Sequence, residues 1–242
     1  MELRVFQRGF NFSQDGPGNR LVFHLQGCNL RCPWCSNPEG LTMEGGWVAT
    51  PEELAEEAIR SHLMFFEGGG VTLTGGEVTL QWQPVLRLLE LLKAAGIHTC
   101  IETNGTSVHL PQLFPVLDLL IMDLKHHDSA RHRAVTGMGL EHTVANLSAA
   151  LEAGQTLALR IPLIGGFNAT AKDAEQFAAL LTSLGAQGRC TVELLLYHEY
   201  GRSKYEKLHL PYAMGQEAHV SNETRLQMED ILRQAGLTVI RT

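Results

Sequence analysis

Leu21-Val22-Phe23-His24-Leu25-Gln26-Gly27-Cys28-Asn29-Leu30-Arg31-Cys32-Pro33-Trp34-Cys35 is a short apolar run that passes directly into a cysteine loop. Residues 21–25 have the composition of a buried strand, and the cysteines beyond them are spaced C-x3-C-x2-C. The same arrangement, an apolar run followed by a polar motif, recurs along the chain. Further buried-strand candidates lie at 71–74, 98–101, 119–122, 156–161 and 191–195. Helical spacing fills the gaps between them. The segment 51–66 opens with Thr50-Pro51-Glu52-Glu53, an N-cap followed by Pro at the first helical position. The segment 81–95 keeps Val85, Leu88, Leu89 and Leu92 on one face and stops at Gly96. Segments 143–153, 171–184 and 223–235 end at Gly154, Gly185 and Gly236, the usual residue just past a helix. Strand–helix alternation repeated six times predicts an α/β fold, a partial (βα)6 barrel with parallel strands and its active site at their C-terminal ends. Six units are too few to close an eight-stranded barrel, and a doubly wound open sheet is the alternative. One domain is expected over 1–242, with its core at about 20–200 and a C-terminal helix and strand within 221–241.

Composition narrows the function classes. Hydrophobic residues at 44% and charged residues at 19% are an ordinary globular balance. Nineteen Lys+Arg against 26 Asp+Glu give a net charge of -7, and no basic run stands out, which excludes a broad nucleic-acid face. No apolar run reaches the length needed to cross a bilayer, and the first ten residues lack the apolar centre of a signal peptide. A cytoplasmic chain with no membrane or nucleic-acid partner is expected, and a monomer, since no exposed apolar stripe is evident.

The polar motifs all follow predicted strand ends: Gly27-Cys28, Thr74-Gly75-Gly76-Glu77, Glu102-Thr103-Asn104-Gly105, Asp123-Leu124-Lys125, Arg160 and Tyr197-His198-Glu199. In a barrel such ends converge on one mouth. Three clustered cysteines in a reducing compartment read as a metal site. They can hold a [4Fe–4S] cluster with one iron left for a substrate, whereas structural zinc wants a closed set of four, its fourth ligand coming from His24, Cys100 or elsewhere. Gly75 and Gly76 let a ligand approach the backbone, and Glu77 can accept from an ammonium. Glu102 and Asp123, with Lys125 nearby, form either rim ion pairs or a polar cradle for an amino-acid-like ligand, with a hard cation on the carboxylates. Trp34 sits where an aromatic ring of a ligand would stack. His198 has the best claim of the 11 histidines to a site role, while His126, His127, His132, His142 and His209 lie in polar stretches and are expected to be solvated. Cys100 and Cys190 are expected to be inert core residues.

Taken together, the cysteine spacing, the aromatic before Cys35 and the Gly-Gly-Glu segment resemble the radical S-adenosylmethionine (radical SAM) superfamily. Asp15-Gly16-Pro17-Gly18-Asn19-Arg20, Glu102-Thr103-Asn104-Gly105, Asp123-Leu124-Lys125 and Tyr197-His198-Glu199-Tyr200-Gly201 with Lys204-Tyr205 are similar to the glycyl-radical-enzyme activating enzymes. No further cysteine lies between Cys35 and Thr74, so the chain resembles their short, insert-free type. The resemblance implies a [4Fe–4S] cluster on Cys28, Cys32 and Cys35, with S-adenosylmethionine on the open iron. It implies reductive cleavage of S-adenosylmethionine to a 5′-deoxyadenosyl radical, which takes hydrogen from a backbone glycine of a partner, pyruvate formate-lyase or a relative. Gly75, Gly76 and Glu77 would bind the methionine ammonium; Lys125, Arg160 and His198 its carboxylate and the ribose; Trp34 would lie near the adenine. Glu102, Thr103 and Asp123 match positions of a monovalent cation site, although the short type carries Asp where this chain has Glu102. Asp15, Gly16 and Gly18 would face the partner's glycine loop. A flavodoxin- or ferredoxin-type protein would donate the electron. A radical SAM enzyme acting on a small molecule, of the 7-carboxy-7-deazaguanine synthase kind, is the alternative, and a zinc-stabilised binding module without catalysis is the third.

Overall fold

The computed structural model describes residues 1–241. Nine strands form one sheet: β1 (Leu3–Phe12), β2 (Asn19–Leu25), β3 (Trp47–Ala49), β4 (Gly70–Gly75), β5 (His98–Thr103), β6 (Leu119–Asp123), β7 (Leu157–Leu163), β8 (Thr191–Leu196) and β9 (Thr238–Ile240). Their order is β3-β1-β2-β4-β5-β6-β7-β8-β9. From β2 to β9 every pairing is parallel, while β1 runs antiparallel to both β2 and β3. The edge strands β3 and β9 do not pair with each other, so the sheet curls without closing. This is the expected partial barrel, its six predicted strands all present and in order.

Seven helices accompany the sheet: α1 (Pro51–Arg60), α2 (Trp82–Ala94), α3 (Ser129–Thr136), α4 (Glu141–Glu152), α5 (Ala171–Ser183), α6 (Arg202–Lys207) and α7 (Asn222–Gln234). Thr50 caps α1 through a capping box with Glu53, and Thr170 caps α5 in the same way with Asp173. Leucines dominate the layer between sheet and helices, with Val85, Leu88, Leu89 and Leu92 of α2 buried as their spacing predicts. No helix among the described residues is long and apolar enough to cross a membrane.

Several details differ from the sequence reading. Helix α1 ends at Arg60 rather than 66, because the chain turns through a 3-10 helix, His62–Met64, and Phe66 takes φ 51°. The β5–β6 connection carries no α-helix. Pro111 and Pro115 lie within Leu110–Val116, where a missing N–H and the ring restrict the chain to a 3-10 path. β1 lies outside the predicted set because only Leu3 and Val5 at its start are fully buried, and Phe10 and Phe12 stay exposed. His126 and His132 are buried, contrary to the expectation of solvation. The polar stretch around them folds back on itself: His126 accepts from the Asp128 N–H at 2.8 Å, and His132 lies 2.5 Å from the Met138 carbonyl.

Candidate active site

The C-terminal ends of the parallel strands surround a cavity of about 530 Å³, a size that suits a cofactor. The loop after β2 contributes Cys28, Cys32, Trp34 and Cys35, and the end of β4 contributes Thr74, Gly75 and Gly76. Glu102 and Thr103 come from β5, Asp123 and Lys125 from β6 and just beyond it, Arg160 from β7 and His198 from just after β8. Asn11, Gln14 and Asp15 complete the wall from the β1–β2 side. The motifs singled out in the sequence therefore do meet. Glu77, Gly16 and Gly18 are the exceptions: they support the wall without lining it.

Backbone geometry explains the glycines. Gly76 N–H donates to the Leu25 carbonyl at 2.9 Å and Glu77 N–H to the Gly27 carbonyl at 2.6 Å, which staples the Gly-Gly-Glu turn to the start of the cysteine loop. A Cβ on Gly76 would run into the Gly27 carbonyl oxygen, and one on Gly75, which holds φ 115°, would run into the Leu25 amide nitrogen. Glu77 is fully buried. Its Oε1 accepts from Thr79 N–H (3.0 Å), Thr79 Oγ1 (2.5 Å) and Thr103 Oγ1 (2.7 Å), and its Oε2 from Asn104 N–H (2.8 Å). Its carboxylate thus orders the β4 and β5 loops, both oxygens taking protein donors. Asn29, Asn104 and Thr106 continue the network from the cysteine loop to the β5 loop.

Arg160 is similarly committed. Its Nε donates to Glu193 at 3.2 Å, and its other nitrogens to Glu102 and to the Gln14 carbonyl. Burial works against its charge, but Glu102 and Glu193 outweigh burial and keep it protonated. Glu102 also accepts from Thr74 Oγ1 at 2.8 Å, Thr103 Oγ1 is shared with Glu77 and Gly105, and Asp123 pairs with Lys125 Nζ at 2.5 Å. Glu102 and Asp123 are therefore paired with protein cations, and Thr103 is bonded to the Glu77 carboxylate and the Gly105 amide, so the three residues matched to a cation site do not form an open oxygen cage. The ion-pair reading fits the two acids. Lys125 is held charged: burial opposes it, but Asp123 and Cys32 raise its affinity for the proton.

The donor set separates an iron–sulfur cluster from zinc. Burial pushes the Cys28 thiol up to about 11 and Cys32 up to about 12, and raises Cys35. A metal group must therefore displace protons to bind. Among the described residues His126, His127 and Asp173 each place one ligand atom within 4.8 Å of the others. A structural zinc on the three cysteines needs a fourth ligand. Cys100 is buried in β5 and lines no part of the cavity. His24 does line it, with a buried Nδ1 that has no hydrogen-bond partner. Three soft thiols around an open cavity fit a cluster with a vacant iron, and the glycine cradle beside them fits a ligand carried on that iron.

The His126, His127 and Asp173 group lies outside the cavity and is bonded within the protein. His126 is bonded to the Phe167 carbonyl (3.1 Å) and the Asp128 amide, and Asp173 to His127 (2.9 Å) and Thr170. Trp34 packs on Phe167 with ring centroids 5.0 Å apart, one edge of it on the cavity. His198 is exposed at the mouth, stacked on Tyr200 at 4.0 Å.

Residues 22–181 match the family model of the radical SAM superfamily. The chain belongs to this superfamily. Among radical SAM relatives it is 35% identical over 222 residues to the pyruvate formate-lyase-activating enzyme of Clostridium pasteurianum, covering 91% of this chain and 92% of the relative. It is 30% identical over 231 residues to pyruvate formate-lyase 1-activating enzyme of Escherichia coli K12, covering 93% of each. A radical SAM methyltransferase structure from Sphaerobacter thermophilus superposes with TM-score 0.71 at 18% identity, over 96% of this chain and 67% of that one, which supports the fold.

Side chains that the sequence reading passed over also shape this radical SAM site. Glu193 is a buried acid inside an apolar strand, and it surfaces only as the second partner of Arg160. Asn37 and Glu39 receive Lys204 Nζ at 2.8 and 2.9 Å, which ties α6 to the end of the cysteine loop. The pairing of Tyr197-His198 with Lys204-Tyr205 in the sequence was the available signal for that tie.

Proposed function

We infer that this radical SAM protein is a glycyl-radical-enzyme activating enzyme, and that pyruvate formate-lyase or a relative is its partner. The observation that carries the reading is similarity to activating enzymes over more than 90% of the chain, combined with one cavity lined by Cys28, Cys32, Cys35, Gly75, Gly76, Lys125 and Asp15. Relatives at 30–35% identity that are activating enzymes do not favour the small-molecule alternative. When bound, the cluster and S-adenosylmethionine supply one-electron cleavage of a carbon–sulfur bond and abstraction of a glycine hydrogen.

The chain's own residues do the positioning. Cys28, Cys32 and Cys35 hold the cluster and leave one position for the methionine end of the cofactor. The Gly75-Gly76 turn, packed against the backbone of the cysteine loop and lining the cavity, receives that end, while Lys125 offers a cation to its carboxylate. His198 and Trp34 border the nucleoside. Asp15, held by Asn11 and facing the cavity, meets the partner's glycine segment. Apolar wall residues such as Leu30, Leu41 and Ile164 exclude water, which protects a reactive centre from side reactions. The electron comes from a flavodoxin- or ferredoxin-type donor.

The test is anaerobic reconstitution with iron and sulfide, then reductant, S-adenosylmethionine and a pyruvate formate-lyase, read by electron paramagnetic resonance. A glycyl-radical doublet accompanied by 5′-deoxyadenosine is expected. Iron–sulfur-loaded protein that gives 5′-deoxyadenosine but no doublet with any glycyl radical enzyme would overturn the reading.

A further inference from the structure

Arg20 is fully buried and makes no ion pair among the described residues, an expensive arrangement for a guanidinium. Its partners are the Val71 carbonyl (2.7 Å), the Pro17 carbonyl (3.2 Å), the His98 carbonyl (3.3 Å), His98 Nδ1 (3.2 Å) and Thr72 Oγ1 (2.6 Å). Thr72 is itself buried, and having accepted from Arg20 Nε it donates its one proton to the Asp15 carbonyl at 2.6 Å. From the other side, Arg160 donates to the Gln14 carbonyl. Gln14, Asp15 and Pro17 thus hang by their backbone carbonyls from Arg160, Thr72 and Arg20 inside the barrel. Besides these, Ser13 N–H closes the segment on the Gly18 carbonyl at 3.0 Å, and Asn11 Nδ2 donates to Gln14 Oε1 at 3.2 Å and to Asp15 Oδ2. Ser13, Gly16 and Gly18 take φ of 65°, 117° and 71°. The stem of Arg20 fills the space beside Gly16, where a Cβ would lie 3.1 Å from its Cδ.

We propose that Arg20 and Thr72 are positioning residues that hold the 13–18 segment from within the barrel so that Asp15 faces the glycine segment of the partner. The proposal rests on the activating-enzyme reading for its partner, and on this geometry alone for the tether. Neither residue lines the cavity, so neither touches cofactor or partner. Their effect passes through the loop. Two glycines and a serine in left-handed conformations give the segment many alternatives, and the buried charge, unable to reach water, selects the one conformation that supplies its acceptors.

Thr72→Val tests this with little change in volume, and Thr72→Ser restores the hydroxyl. In reconstituted protein, hydrogen exchange of residues 13–18 is measured by mass spectrometry, partner-free cleavage of S-adenosylmethionine by 5′-deoxyadenosine, and radical formation against pyruvate formate-lyase concentration. Loss of a buried hydrogen bond on each side of the hydroxyl predicts exchange and half-saturating partner concentration each raised about tenfold, with partner-free cleavage unchanged. Thr72→Ser should return both to wild type. Unchanged exchange in Thr72→Val overturns the tether. Faster exchange with an unchanged partner requirement overturns the role in recognition. If wild type forms no radical on any glycyl radical enzyme, the functional reading fails and takes the recognition role with it, while the exchange result still decides the tether.

Discussion

Glu77 offers the sharpest separation between a residue that binds and a residue that builds. It sits in a motif that looks like an ammonium site, yet it is fully buried and collects four donors from Thr79, Thr103 and Asn104. Glu77→Gln keeps shape and volume. Its single oxygen can serve the three donors now on Oε1, but its amide then points at the Asn104 N–H, donor against donor. Losing one hydrogen bond to a charged acceptor and leaving a buried N–H unpaired costs about 3 kcal/mol. With an m-value of about 3 kcal/mol/M for a chain of this size, the urea midpoint of the apo-protein should fall by about 1 M. Affinity for S-adenosylmethionine in reconstituted protein should fall as well, because Thr103 and the Gly75-Gly76 turn lose their brace. A Glu77→Gln protein with an unchanged urea midpoint but weakened cofactor binding would refute the reasoning and return Glu77 to the role of direct ligand.

Other perturbations read different parts of the account. Gly76→Ala, whose new Cβ meets the Gly27 carbonyl across a backbone staple, should lose about 3 kcal/mol in urea unfolding and should not bind S-adenosylmethionine in equilibrium dialysis. Cys28→Ser, Cys32→Ser and Cys35→Ser should each prevent retention of a four-iron cluster on iron analysis, whereas Cys100→Ser and Cys190→Ser should load normally. At the far side of the barrel, Glu229 is buried among Arg225, Arg233 and Arg241 and anchors the tail beyond β9 to α7. Burial raises its carboxyl, but the arginines outweigh burial and leave it below the usual range. A depressed folded value stabilises the protein above the unfolded glutamate value of about 4.3, and that contribution is lost as pH falls through the folded one. The stability gap between wild type and Glu229→Gln, about 2 kcal/mol at neutral pH, should therefore be flat above about pH 5 and shrink below about 4.

Much of this was legible because the fold repeats. β2 and each strand from β4 to β8 is an apolar run bounded by a polar motif, and a barrel brings all such ends together, so Cys28, Gly75, Glu102, Asp123, Arg160 and His198 could be grouped without coordinates. What escaped was whatever depends on a partner in space. β1 has no core periodicity past Val5, since its remaining residues lie on an exposed edge. His126 and His132 sit in a polar stretch, but burial there comes from local folding back that no hydropathy pattern encodes. Glu77, Glu102 and Arg160 have the side-chain chemistry of ligand-binding groups. Only the geometry reveals that Thr79, Thr103, Asn104, Glu193 and Gln14 already use that chemistry. The loop with Asp15 shows both sides: its residues were recognisable as a motif, but the arginine that closes it became meaningful only as a buried charge without a carboxylate.

The most direct test of the central claim is isotope transfer. Pyruvate formate-lyase carrying deuterium on its glycine α-carbons would be activated by the reconstituted protein, and the 5′-deoxyadenosine formed would be examined by mass spectrometry. The account predicts deuterium in that product, in step with the growth of the glycyl-radical signal. A glycyl radical that forms while the 5′-deoxyadenosine stays free of deuterium would contradict it.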